Sequence, residues 1–148
     1  MTGRGHSPRA HAHVAPRGSA VIFPPMPERR RVPTSAPWAE TVGYSRAVRV
    51  GDTIYVSGTA PVGENGEIVH VGNVYEQTKR CLEIILAALG EAGARPEHVV
   101  RTRLYVADAS TWQEVGRAHG EVFGHARPAT TLVQVAGFIH PDILVEIE

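Results

Sequence analysis

Residues 46–57 read RAVRVGDTIYVS, and this stretch decides the type of fold. Two runs rich in β-branched and aromatic residues, 46–50 and 53–57, flank the dipeptide Gly51-Asp52. A two-residue link that contains glycine is typical of a tight β-hairpin, because glycine supplies the positive φ angle that such turns require. The sequence therefore predicts two antiparallel strands here. A further turn signal, GENG at 63–66, predicts a short third strand over 68–71.

Two amphipathic helices are predicted after the hairpin. Asn73 begins the first one, which ends near Ala92, and Glu76 completes a capping box. The apolar residues of this helix recur at helical spacing along one face, namely Val74, Thr78, Cys81, Leu82, Ile85 and Leu89. Because Cys81 lies in this stripe, we expect a buried packing residue rather than a nucleophile.

The second helix is predicted over 111–123, behind a capping box formed by Ser110 and Gln113. Its buried side should carry five residues: Trp112, Val115, His119, Val122 and Phe123. His119 lies on an apolar stripe, so we interpret it as a hydrogen-bonded packing residue.

Three more strands are predicted, over 99–107, 130–136 and 143–148. Strands interrupted by two helices indicate an α+β fold in which a single mixed sheet carries both helices on one face. Apolar residues nevertheless occupy both alternation phases of the strands: Val48, Val50, Ile54, Val56, Leu132, Val133 and Val135. A domain of this size covers its second sheet face with a partner subunit, so we expect a closed homo-oligomer.

The charge of the chain is unevenly distributed. The 148 residues carry 15 basic and 15 acidic side chains, but residues 1–37 contain six arginines and a single acid. We predict that 1–37 is a disordered basic extension rich in proline, arginine and histidine, and that 38–148 forms one domain. That domain is acidic, and duplex binders usually carry a basic excess, so nucleic acid is not an expected partner.

Several classes of protein and site are not expected. A lone cysteine, Cys81, precludes an internal disulfide and a multi-cysteine zinc site. His119, His125 and His140 lack metal-ligand spacing, and no glycine-rich phosphate loop occurs, so neither metal nor cofactor is expected. No apolar run approaches the roughly 20 residues that span a bilayer, and no secretory signal is evident, so we expect a cytoplasmic protein.

Six short segments, taken together and in order, resemble the YjgF/RidA family. They are GYSRAV at 43–48, VSG at 56–58, QT at 77–78, VVRT at 99–102, RPATT at 127–131 and LVEIE at 144–148. The resemblance covers about residues 40–148 and implies a chorismate-mutase-like fold. It also implies a homotrimer whose sheets line a central barrel, with ligand clefts between subunits. The well-understood members hydrolyse enamines and imines such as 2-aminoacrylate, releasing ammonia.

The resemblance also implies which residues form the cleft. Tyr44 would hold the substrate, and the backbone of Ser57, Gly58 and Thr59 would bind its polar end. Glu146 would orient water or relay its proton, which is the usual role of a positioned carboxylate. Thr130 and Thr131 would line the cleft.

One position departs from the family pattern. Thr130 stands where the family has an arginine that clamps the substrate carboxylate. A threonine hydroxyl donates one neutral hydrogen bond where arginine offers two charge-assisted ones, so activity on 2-aminoacrylate should be weak. Arg103 is the candidate substitute cation, with Arg46 and Arg127 as further candidates.

The sequence therefore favours a deaminase or hydrolase that acts on a small imine, enamine or related metabolite. Two alternatives remain open. One is a non-catalytic trimer that binds a metabolite or a partner protein in the same clefts. The other is an endoribonuclease-like activity, which relatives of the family have been assigned.

Overall fold

The computed structural model describes residues 27–36 and 38–148, and these residues form six strands and three α-helices. The strands are β1 Arg29–Val32, β2 Ala47–Val50, β3 Thr53–Val56, β4 Arg101–Val106, β5 Ala129–Gln134 and β6 Val145–Ile147. The helices are α1 Ala39–Val42, α2 Val74–Glu91 and α3 Trp112–Phe123, with short 3-10 helices at Pro96–His98 and Ala109–Thr111.

The strands form two three-stranded sheets that meet at one point. The first sheet is antiparallel in the order β1-β2-β3, and the second has the order β5-β4-β6 with β4 and β5 parallel. Thr59, three residues after β3, bridges to Ile147 of β6 through two backbone hydrogen bonds of 2.9 and 3.1 Å. The α+β class is confirmed, whereas the predicted single sheet is two sheets joined by this bridge.

The elements that carry the fold agree with the sequence prediction. The β2–β3 hairpin turns at Gly51, which has a φ of 57°. The Asn73 side chain accepts a hydrogen bond from the Glu76 amide at the start of α2, and all six residues of the predicted apolar stripe are buried. Burial raises the pKa of the Cys81 thiol, which therefore stays protonated.

Three local predictions are wrong. No strand forms over 68–71, because Ile68 makes only an isolated bridge to Val62 and the chain turns at His70, which has a positive φ. Asp108, not Ser110, accepts the capping hydrogen bond ahead of α3. Trp112 is 58% exposed, because it begins α3 on the outer side of the helix.

The N-terminal boundary of the fold is also corrected. Arg29–Val32 lies in the stretch predicted to be disordered, yet it pairs as β1 with β2. Val32 explains this pairing, because it is 4% exposed and packs with Ala47, Ala88 and Ala92. Residues 1–26 and 37 lie outside the described residues, so the prediction for them stays a prediction.

The two faces of the sheets differ. Ile54, Val56 and Leu132 pack toward the core formed with α2 and α3. Tyr55 and Val133 alternate with them onto the other face and are 67% and 42% exposed. This second face, called here the open face, has no covering layer within the described residues. No helix among those residues is long and apolar enough to cross a membrane.

Candidate active site

Arg46 is the centre of the best-organised polar cluster. It lies just before β2, and its guanidinium donates to the Thr59 hydroxyl at 2.8 Å and to the Gly58 carbonyl at 3.2 Å. A longer contact of 3.5 Å reaches the Thr34 hydroxyl. The guanidinium carbon lies 5.9 Å from the centre of the Tyr44 ring, within cation–π range. Arg46 thus ties together Tyr44 and the segment that follows β3.

Glu146 completes this cluster from β6. A Cβ atom added to Gly58 would collide with the Glu146 carboxylate, so the carboxylate lies directly against the glycine backbone. Position 58 must be glycine for this close approach. Burial raises the pKa of Glu146, the nearby Arg46 charge lowers it, and Glu148 raises it further. The net shift is upward, as expected for a carboxyl group that burial has partly desolvated.

The segment 57–59 is held by its own hydrogen bonds. The Ser57 amide donates to the Arg46 carbonyl, and the Thr59 amide donates to the Ile147 carbonyl. The Ser57 hydroxyl donates to the Ser45 carbonyl at 2.7 Å. Two of the three amides predicted to receive the polar end of a substrate are therefore used within the fold, and Gly58 provides the third.

Thr130 belongs to a different hydrogen-bond chain, on the opposite side of β4. Its hydroxyl donates to the Pro128 carbonyl at 3.0 Å and lies 2.9 Å from the Thr102 hydroxyl, which lies 3.0 Å from His119 Nε2. Each hydroxyl can donate or accept in this chain, and the role of His119 Nε2 follows from the tautomer of the ring. Burial lowers the pKa of His119, which favours the neutral ring. The Thr130 hydroxyl is therefore held within the fold by Pro128 and Thr102.

Thr131 is bound to the protein as well, since its hydroxyl accepts a hydrogen bond of 2.7 Å from Arg101. Both threonines lie on β5, and β4 separates β5 from β6 and Glu146. Within one protomer, the structure brings together Tyr44, the 57–59 segment and Glu146, but it does not bring Thr130 or Thr131 to them.

The predicted substitute cation, Arg103, is paired elsewhere. Its guanidinium contacts the Glu148 carboxylate at 2.6 Å, and the Tyr105 hydroxyl donates to the same carboxylate at 3.2 Å. Arg46, rather than Arg103, is the cation that acts on Glu146. Sequence reasoning did not select Tyr105, although the alternation of β4 places it opposite the buried Leu104 and beside Glu146 in the register.

The chain is similar to known proteins in both sequence and fold. Residues 34–148 match the family model described as Endoribonuclease L-PSP. The chain belongs to the YjgF/RidA family. A solved YjgF/RidA structure, Rv2704 of Mycobacterium tuberculosis, is 43% identical and superposes with a TM-score of 0.73, covering 81% of this chain and 95% of that one. No group of three metal-binding side chains occurs in the part of the chain that the structure describes.

Two sequence relatives within the YjgF/RidA family are also similar over most of their length. The 3-aminoacrylate deaminase RutC of Acinetobacter baylyi is 34% identical over 122 residues, which are 82% of this chain and 95% of that protein. A RutC family protein of Pyrococcus abyssi is 41% identical over 106 residues, which are 71% of this chain and 82% of that protein.

Proposed function

We propose that the protein is a deaminase that hydrolyses a small enamine or imine and releases ammonia. The observation that carries this proposal is the Glu146 carboxyl group, half-buried against Gly58 and beside Arg46, with a raised pKa. A proton-exchanging carboxyl group next to a cation and a phenol suits the addition of water to a carbon–nitrogen double bond. The similarity to a 3-aminoacrylate deaminase supports the same class of reaction.

Hydrolysis of an enamine requires only a few functional groups from the protein. An enamine first takes a proton on carbon and becomes an iminium ion. Ionised Glu146 then accepts a proton from water as the water oxygen bonds to the iminium carbon, which gives a carbinolamine. The same carboxyl group returns the proton to nitrogen. As the carbon–nitrogen bond breaks and ammonia leaves, the carbinol hydroxyl gives its proton to Glu146 and becomes the carbonyl group. Protonated Glu146 then supplies the proton that the next enamine takes on carbon. Tyr44 holds the conjugated part of the substrate, and Arg46 keeps Glu146 ionised for part of the cycle.

The proposed assembly is a homotrimer with the site between subunits. Glu146 and Thr130 lie on opposite sides of β4 in one protomer. Thr130 and Thr131 join the same cleft only if a neighbouring copy supplies them. The open face with Tyr55 and Val133 offers apolar area for that contact. The number three rests on the family resemblance.

The proposal is tested by ammonia release from freshly generated 3-aminoacrylate and 2-aminoacrylate. We expect a rate above the buffer background with 3-aminoacrylate, the compound named for the RutC relative, and a weaker effect with 2-aminoacrylate. Glu146→Gln should lose about 100-fold or more of the rate. Glu64→Gln, in the exposed turn, is the matched control and should keep full activity. Background rates with both compounds would contradict the proposal.

A non-catalytic binding protein is the second candidate. The observation that favours it is that the Thr130 hydroxyl is held by Pro128 and Thr102, so this position offers a carboxylate no charged donor. A rise in melting temperature with small enamine-like acids, without ammonia release, would favour binding alone.

A further inference from the structure

Arg127 has an unusual backbone conformation for its place in the sequence. Its φ angle is 48°, in the left-handed region, and the next residue is Pro128. A residue before proline favours an extended backbone, and any side chain is strained at positive φ. Glycine would adopt this angle without strain. The strain at Arg127 therefore indicates that its side chain has a role that glycine could not fill.

The turn after α3 explains the φ angle but not the choice of arginine. The Arg127 amide donates to the Phe123 carbonyl at 2.8 Å, as in a last helical turn, and the chain then enters β5. The left-handed residue that follows such a turn is usually glycine. Gly93 has this role after α2, with a φ of 85°. After α3, the corresponding residue carries a long cationic side chain instead.

The Arg127 guanidinium is held at one atom. Its Nε donates to the Gly124 carbonyl at 3.3 Å. Among the described residues, Nη1 and Nη2 have no hydrogen-bond partner, and no carboxylate lies within 4 Å. Arg46, Arg101 and Arg103, by contrast, all use Nη groups for contacts within the fold. The Nη1–Nη2 edge of Arg127 is therefore available for a bidentate contact with a carboxylate.

Arg127 lies close to Thr130 at the start of β5. The Thr130 hydroxyl lies 3.0 Å from the Pro128 carbonyl, so the turn brings this hydroxyl back to the residue that follows Arg127. Behind Thr130, the Thr102 hydroxyl and His119 Nε2 continue the hydrogen-bond chain into the protein. Since β5 is an edge strand, a cation and a hydroxyl lie together at the edge that would face the proposed cleft.

We propose that Arg127 binds the carboxylate of the substrate, which is therefore an enamine or imine that carries a carboxylate group. The Nη1–Nη2 edge forms the charged contact, and Thr130 adds a neutral hydrogen bond. Thr130 itself offers no charge, and Arg127 supplies one from three residues earlier in the chain. This inference rests on the proposed deaminase function and on the proposed cleft between subunits. A binding measurement without turnover separates the inference from that function.

Arg127→Gly removes the side chain and relieves the backbone strain at the same time. We expect the urea midpoint to stay the same or rise, while kcat/KM for 3-aminoacrylate falls about tenfold or more, chiefly through KM. His70→Gly is the matched control, because His70 is the other non-glycine residue at positive φ among the described residues and lies in the turn before α2. Its variant should gain stability in the same way and keep kcat/KM.

A neutral substrate separates the loss of a charged contact from general damage to the site. Methyl 3-aminoacrylate has the same enamine without the carboxylate charge. Arg127→Gly should keep kcat/KM for this ester within about twofold of wild type. Arg127→Lys, which keeps the charge but not the planar fork, should retain part of the activity on the acid. Equal losses with acid and ester in Arg127→Gly would overturn the proposal, since they would indicate a structural role.

NMR titration with crotonate makes the outcome independent of catalysis, because crotonate is an unreactive carboxylate of similar shape and crotonamide is its neutral counterpart. Arg127→Gly should weaken crotonate binding about tenfold or more and leave crotonamide binding unchanged. If crotonate binding depends on Arg127 but no ammonia is released from any substrate, the deaminase proposal fails and the assignment of Arg127 stands. Equal crotonate titrations of wild type and Arg127→Gly, including no binding to either, would overturn the assignment whatever the rate of ammonia release.

Discussion

At the scale of single residues, Gly58 and Glu146 act as a pair. Position 58 requires glycine because the Glu146 carboxylate occupies the space that a side chain would fill. The carboxylate is partly desolvated because it lies against the Gly58 backbone. The raised pKa of Glu146 and the requirement for glycine at position 58 are therefore two consequences of one contact. Each can be tested separately.

Gly58→Ala should displace the Glu146 carboxylate while the fold survives, because the obstructing atom is at the end of a flexible side chain. We expect ammonia release to fall about tenfold or more, as for other small displacements of a catalytic group. Gly137→Ala is the control, since a Cβ there meets nothing within 4 Å. Unchanged activity in Gly58→Ala, with the control also active, would argue against a catalytic Glu146.

Glu146 should also make stability depend on pH. Burial raises the pKa of Glu146 above its usual 4.5, so the folded protein favours the protonated form. The resulting stabilisation is complete below the usual pKa and is lost as pH rises through the raised pKa. The difference in free energy of unfolding between wild type and Glu146→Gln should therefore decline over that window, as measured by urea denaturation at a series of pH values. A pH-independent difference would mean that the carboxyl group is not desolvated.

At the scale of elements, Gln77 joins three segments of the chain. It is fully buried on α2, and its amide nitrogen donates to the carbonyls of Val69 and Asp142 while its oxygen accepts from the Leu144 amide. These bonds fix the loop that leads into β6. The orientation of β6, and with it the direction of Glu146, depends on this helix residue.

Gln77→Leu should lower the free energy of unfolding by about 3 kcal/mol or more, because it leaves buried backbone groups unsatisfied. Gln113→Leu, an exposed glutamine on α3, serves as the control and should change stability by less than about 0.5 kcal/mol. Urea denaturation measures both. Similar small effects in the two variants would mean that water replaces the Gln77 contacts.

Local sequence patterns predicted some of the elements correctly and missed one strand. The hairpin at Gly51 and the α2 stripe were predictable because local turn chemistry and helical periodicity determine them. β1 was not, since three arginines and one valine have no period, and only the tertiary contact of Val32 reveals the strand. Arg46 and Glu146 lie 100 residues apart in the sequence and come together only in the folded chain. No local sequence pattern predicts that contact.

At the scale of the whole molecule, the open face is the main apolar surface that no element of the described residues covers. Tyr55 and Val133 are exposed there, beside the charged group of Arg103 and Glu148. A partner copy that covers this face would bury both side chains. The proposed intersubunit cleft depends on that association.

Val133→Asp should therefore shift the protein toward folded monomers, because it places a charge in the proposed contact. Analytical ultracentrifugation of wild type should give the mass of three copies. Val71→Asp, at an exposed turn away from the strands, is the control and should leave the mass unchanged. A wild-type monomer would contradict the intersubunit site.

The bridge between Thr59 and Ile147 has a consequence for biosynthesis. β6 follows the other five strands along the chain, yet it is the strand through which the two sheets are joined. During translation, the β1–β3 sheet and the α2–β4–α3–β5 unit are made before the strand that links them. Until β6 leaves the ribosome, both sheets therefore have unpaired strand edges that other polypeptides can bind.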